Sequence, residues 1–274
     1  MQAKKEIVAG RLYMMSCYSA GFLPSQNKKQ RAARKEMQTE YRKKMNKINR
    51  KYELMRLFAI NFKSNRDLFI ELSFAQEPTR QDEERALRRF HRRMTNYFRK
   101  CGREYRYILV RETHNRNCEL VRVHYHLICT GTGKLMKDKI IEFWDSGSVD
   151  VRSLREIDNF EDTCKYLLKE EKPINERAYR CSRNLKRPEE PLRRKLPERE
   201  CCIIPNGVER INHYSDDNDF GRYEIFIGKI VDEKAFNKYW ELAKLDSRRH
   251  QADRNWRKYA RENRRKTPVL CGGI

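Results

Sequence analysis

Residues Leu120-Val-Arg-Val-His124-Tyr-His126-Leu-Ile-Cys129 decide how this chain is read. Strand side chains point alternately to opposite faces, so one face of the segment carries Leu120, Arg122, His124, His126 and Ile128. The other carries Val121, Val123, Tyr125, Leu127 and Cys129 and is apolar enough to pack on helices. The first face sets two imidazoles side by side, at a spacing from which both can reach one divalent cation. Just upstream, Tyr105 to about Asn115 also reads as a strand, and Asn115-Arg-Asn-Cys-Glu119 as the polar turn of a hairpin. A turn centred near Cys118 brings Glu112 across from His124, with cross-strand Cβ atoms roughly 5 Å apart. A turn one residue earlier or later flips the parity, points Glu112 away and leaves His114 or a water in its place.

Working outward, Leu68, Ile70, Leu72 and Phe74 alternate with Phe69, Glu71 and Ser73 as in a half-buried strand. Thr79 follows as a helix N-cap with Asp82 three residues on. Leu87, Phe90, Met94, Tyr97 and Phe98 form the buried stripe of that helix, and Gly102 closes it. Beyond the hairpin, 134–144 reads as a helix, 147–153 as a short strand and 159–171 as a helix stopped by Pro173. The order β-α-β-β-α-β-α predicts an α+β fold. Its first six elements match a split βαβ, ferredoxin-like antiparallel sheet with helices on one face and the other free for ligand. Gly131-Thr-Gly-Lys134-Leu looks like a phosphate loop, but it lacks the earlier Gly and the Ser or Thr after Lys, so it reads as a turn.

The last predicted helix contains Lys165-Tyr166-Leu-Leu-Lys169. Positions 166 and 169 share a helical face, so Tyr166 and Lys169 project together while Leu167 and Leu168 turn inward. A phenol that attacks phosphorus needs nearby positive charge to act as phenolate, and Lys169 offers it. The motif has weight only by position, one βα step after the histidine pair.

Lys and Arg number 62 against 39 Asp and Glu in 274 residues, a formal net charge of +23 that suits a polyanionic partner, most commonly nucleic acid. Hydrophobic residues make up 38% and charged residues 37%, so a core is expected in part of the chain with very basic segments around it. From about Asn27 to Ile60, Met37, Tyr41, Met45, Ile48, Tyr52 and Met55 recur at helical spacing among dense Lys and Arg. Residues 1–65 are accordingly expected to form a basic helical extension and 66–190 the catalytic domain. Residues 191–274 are expected to form a linker and basic tail, with a smaller unit of strand Tyr223–Ile230 and helix Glu233–Leu245. The nine cysteines include no CxxC pair, which argues against structural zinc and suits reduced thiols. No apolar run approaches the roughly 20 residues that span a bilayer, and a cytoplasmic protein is expected.

The segments FIELSF at 69–74, VHYHLI at 123–128 and KYLLK at 165–169 together resemble the HUH endonucleases that initiate rolling-circle replication, in that family's order. Arg180-Cys-Ser-Arg-Asn-Leu-Lys-Arg-Pro188 resembles the basic stretch after the catalytic helix in phage and plasmid initiators. The resemblance implies His124, His126 and Glu112 as ligands of Mg or Mn, and Tyr166 as the nicking tyrosine with Lys169 beside it. It also implies Arg122, Arg183, Lys186 and Arg187 as DNA contacts. The implied chemistry is site-specific nicking and joining of single-stranded DNA at a replication origin through a 5′-phosphotyrosine. A host helicase and polymerase are the implied partners, since the chain has no helicase module. A mobilisation relaxase or single-tyrosine transposase would use the same site. A non-catalytic nucleic-acid-binding module would instead expose aromatics on the sheet.

Overall fold

The computed structural model describes residues 2–18, 28–114, 119–132, 136–154, 160–169, 177–197, 203–218 and 221–264. In chain order the elements are β1 (Gln2–Ala9), β2 (Leu12–Tyr18), α1 (Lys28–Asn61), β3 (Leu68–Ser73), α2 (Arg80–Lys100), β4 (Tyr107–His114) and β5 (Leu120–Cys129). There follow α3 (Lys137–Phe143), β6 (Val149–Ser153), α4 (Phe160–Leu167), β7 (Arg180–Cys181), β8 (Leu192–Leu196), β9 (Val208–Asn218), β10 (Gly221–Ile230) and α5 (Glu233–Arg264). The fold is α+β with two antiparallel sheets. The chain divides into two compact units, residues 40–187 and residues 1–39 with 188–274.

In the unit of residues 40–187 the strand order is β6-β3-β5-β4-β7, every neighbouring pair antiparallel. β5 therefore lies between the mutually parallel β3 and β4, the order in which two βαβ units interleave. Leu68, Ile70, Leu72, Leu109, Val123, Tyr125 and Leu127 project from one face into a core with Leu87, Phe90, Met94 and Phe98 of α2. Thr79 caps α2, its hydroxyl oxygen accepting from the Asp82 amide at 3.2 Å. Gly102 lies just past the helix at φ 64°, the left-handed geometry a glycine supplies without steric cost.

The other face is less open than expected. Ile108, Val110 and Ile128 are buried there. Tyr166 of α4 reaches His126, and α4 is tied to α1 by Lys51–Glu161 at 2.8 Å. Tyr52, Leu54, Met55, Leu57 and Phe58 of α1 are likewise buried, so its second half belongs to this unit rather than to a free-standing extension.

The second unit corrects the reading of both flanks. Residues 2–18 form a β-hairpin, not helix, and β8, β9 and β10 complete its sheet in the order β8-β1-β2-β10-β9. Tyr13, Met15, Cys17, Phe226 and Ile230 pack against Phe236, Trp240 and Ala243 of α5. Strand Tyr223–Ile230 and the start of the helix at Glu233 are as expected, but they belong to a sheet begun at Gln2. The physical reason is that β1 buries charge. Glu6 is fully buried, bonded by Tyr13 at 2.6 Å and Arg194 Nη2 at 2.5 Å and by Tyr239, with Lys4 at 3.5 Å.

Candidate active site

Glu112 on β4 pairs directly with His124 on β5, and the register from Tyr107–Cys129 to Glu112–His124 is unbroken. A bulge follows between Glu112 and His114, which pairs with Leu120, so Glu112 and not His114 faces the histidines. The turn at 115–118 lies outside the described residues. The rings of His124 and His126 meet edge to face at 5.1 Å. Glu112, His124 and His126 each offer one ligand atom, all within 4.8 Å of one another.

Hydrogen bonds orient these donors. His124 Nδ1–H donates to the Arg122 carbonyl at 3.1 Å, which leaves its Nε2 lone pair facing Glu112 Oε1 at 3.6 Å. His126 is wholly buried, and its Nε2 donates to Glu112 Oε2 at 2.9 Å. Its Nδ1 has no hydrogen-bond partner among the described residues. Burial pushes the Glu112 carboxyl up, but hydrogen bonds from His126 and Lys169 outweigh this and hold it below the ordinary carboxylate value.

α4 brings the other two residues. The Tyr166 hydroxyl lies 3.4 Å from His126 Nε2, and the two rings meet at 5.2 Å. Lys169 Nζ sits 2.5 Å from Glu112 Oε1 and 4.3 Å from the centre of the Tyr166 ring. α4 is shorter than expected and ends at Leu167. Lys169 lies just beyond it, where Lys169 N donates to Tyr166 O at 3.4 Å. Cys164 and Leu167 are the buried side of this helix. All five residues named for metal and catalysis thus converge on one place.

The four residues named for DNA do not gather there. Arg122 shares a face with His124, yet its guanidinium donates to the Phe74 and Ala75 carbonyls at 3.2 and 2.9 Å. Lys186 donates its amide to Asn61 Oδ1 at 2.8 Å, and Arg187 lies 3.7 Å from Glu53, so this segment runs along α1. Arg183 is exposed. Tyr179 lines a separate cavity with Glu53 and Arg187, and burial followed by the charge of Glu53 raises its pKa.

Two neighbours of the site escape a reading of the sequence. Glu71 on β3 stands directly opposite His126, its Oε2 3.8 Å from Nδ1, and the Phe69 ring packs on the same imidazole at 5.5 Å. Their alternation is visible in the sequence, but which strand they adjoin is not.

Gly131 also has a structural explanation. A Cβ there would stand 2.0 Å from the Arg66 carbonyl oxygen, and its amide donates to Asp67 Oδ1 at 2.7 Å, so this glycine permits two backbones to touch. Lys134 lies outside the described residues.

Among the described residues no helix is long and apolar enough to cross a membrane. No curated protein and no solved structure matches the chain. Residues 67–171, the stretch from β3 to just past Lys169, match the family model of the replication-associated protein ORF2, and that match supports a part in replication.

Proposed function

We propose that this protein nicks and rejoins single-stranded DNA to initiate rolling-circle replication of a phage or plasmid, with Tyr166 as nucleophile. The observation that carries the reading is the Tyr166 hydroxyl 3.4 Å from His126, inside a buried Glu-His-His cluster. Two imidazoles and a carboxylate suit a divalent cation, and the orientation of His124 by Arg122 O leaves a lone pair aimed into the cluster. Glu112, His124 and His126 would hold Mg or Mn, which when bound supplies Lewis acidity toward a non-bridging phosphate oxygen. Tyr166 is positioned by α4, whose Cys164 and Leu167 anchor it while the phenol points to the cluster. The phenolic proton leaves and the oxygen forms a bond to phosphorus. The bond from phosphorus to the 3′ oxygen breaks, and that oxygen takes a proton to give a free 3′-hydroxyl beside a 5′-phosphotyrosine. Lys169 places positive charge beside the ring that turns negative. The phosphotyrosine keeps the energy of the broken bond, so a 3′-hydroxyl attacking it reseals the strand.

The test is incubation with a labelled pool of randomised single strands and Mn or Mg, followed by denaturing electrophoresis. The expected result is a covalent adduct that maps to Tyr166 and disappears in Tyr166→Phe, in His124→Ala and with chelator. An adduct on Tyr179, or one indifferent to both histidines, refutes the assignment. No adduct on any strand would favour the non-catalytic binding module.

A further inference from the structure

A cavity of about 880 Å³ opens at the edge of the 40–187 sheet where β7 joins β4. Tyr107, Leu109 and Arg111 line it, the alternate residues of β4 from those that include Glu112, so it is separate from the catalytic cluster. Arg50, Arg80, Arg111, Arg177, Arg180 and Arg187 surround it. The carboxylates that pair with them are few. Glu83 takes Arg111 at 2.8 Å and Arg80 at 3.3 Å, Glu84 takes Arg180 at 2.6 Å, and Glu53 stands 3.7 Å from Arg187. Among the described residues Arg50 and Arg177 form no ion pair, and both are exposed.

We propose that this arginine-lined groove binds the sugar-phosphate backbone of single-stranded DNA flanking the nicked position. The inference rests on the reading of the protein as a DNA nickase, but its evidence is independent of the cluster around His126. Guanidinium groups bind phosphate oxygens in a fixed fork, and several on one rim can track successive phosphates. A cavity of this size exceeds one phosphate and accommodates a run of backbone. Tyr107, Tyr125 and Tyr179 in its walls add ring surface of the kind on which single-stranded nucleotides pack.

The experiment compares the parent, Arg50→Ala/Arg177→Ala and Tyr166→Phe in binding a mixed-sequence single strand of about 30 nucleotides, between about 50 and 200 mM salt. The double arginine variant removes two unpaired cations, so its log K against log salt slope should be shallower by about 1.4, at roughly 0.7 per phosphate contact. Tyr166→Phe should keep the parent's slope. An unchanged slope in the double variant overturns the groove. A slope lost only against duplex of the same sequence overturns its assignment to single strands. If the slope shifts while the parent forms no tyrosine adduct, the groove stands and the nicking reading falls.

A second inference follows from the buried, unpartnered His126 Nδ1. When Nε2 is coordinated, the ring's one proton resides on Nδ1, which then needs an acceptor. Glu71 lies opposite in register at 3.8 Å, with its side chain partly exposed and able to move. We infer that Glu71 is a positioning residue that accepts this hydrogen bond and fixes the His126 ring. Titration calorimetry with Mn should show affinity lowered about 10–100-fold in Glu71→Ala and largely restored in Glu71→Gln, whose carbonyl still accepts. Unchanged affinity in Glu71→Ala refutes the role. Equal losses in both variants would make Glu71 a direct ligand instead.

Discussion

Replacing Glu112 by Gln separates the two jobs its carboxylate performs. It accepts from His126 at 2.9 Å and from Lys169 at 2.5 Å, and its side chain is 5% exposed. Gln keeps the volume and one acceptor oxygen but removes the charge opposite an ammonium that is itself 20% exposed. A charge-assisted hydrogen bond to a partly solvated partner contributes about 1–2 kcal/mol, which lowers Tm by roughly 2–8 °C in a domain of this size. The second job appears only with metal. A ligand that binds the folded state alone adds about 2.7 kcal/mol at a hundred times its Kd, a rise of about 5–10 °C. Scanning calorimetry with and without Mn should therefore show the parent gaining about 5–10 °C, while Glu112→Gln starts lower and gains almost nothing at the same Mn concentration. Equal Mn-dependent shifts in parent and variant would refute the idea that Glu112 is a ligand. A variant that starts at the parent's Tm would refute the ion pair's part in stability.

Two further outcomes test the frame around the site. Gly131→Ala should lower stability by about 1–3 kcal/mol in urea titration, because its Cβ would overlap the Arg66 carbonyl, while adduct yield per folded molecule stays at the parent's level. His91 should make stability fall with acid. Its ring stacks on Tyr107 at 4.1 Å, and burial, then the charge of Arg180, pulls its pKa from 6.5 down to about 4. The folded state refuses a proton that the unfolded chain accepts, so this contribution is intact above pH 6.5 and is lost as pH falls from 6.5 toward 4, by at most about 3 kcal/mol. His91→Gln should flatten the difference in urea midpoint between pH 7 and pH 5, and a variant as acid-sensitive as the parent would count against it.

What can be read from the sequence follows local rules. The Thr79 cap, the stripe of α2 and the pairing of Glu112 with His124 each depend on residues near one another in the chain. The sheet of the other unit is hidden for two reasons. Its first strand pairs with residues 192–196, nearly the whole chain away, and no local pattern marks such a partner. Its buried face also includes Lys4, Glu6, Arg194 and Glu224 among apolar residues, so the alternation by which strands are recognised is masked by charge. Glu71 is hidden for the first reason, since a strand's alternation shows which residues share a face but not which strand lies beside them. The basic helix α1 reads as an extension because its charge outweighs the apolar residues it buries.

The core on the opposite side of the sheet is what sets the catalytic geometry. Leu109, Val123, Tyr125 and Leu127 are buried against the α2 layer, each contributing roughly 1.5–3 kcal/mol by leaving water. A slip of β5 by one residue would turn its core residues outward and drive His124 and His126 into that core. The loss would be comparable with the whole stability of a domain, about 5–15 kcal/mol. The slipped register is therefore excluded by packing and not by any attraction among Glu112, His124 and His126. The irregularity of the hairpin is placed accordingly, beyond Glu112 on the turn side, where a bulge redirects His114 without disturbing the pairs from Tyr107 to Glu112. A cluster held this way has its donors together before a cation binds, and Lys169 beside Glu112 offsets the carboxylate's charge. An incoming divalent cation would then have to displace that ammonium from Glu112, which leaves Lys169 next to Tyr166, where the attacking oxygen needs it.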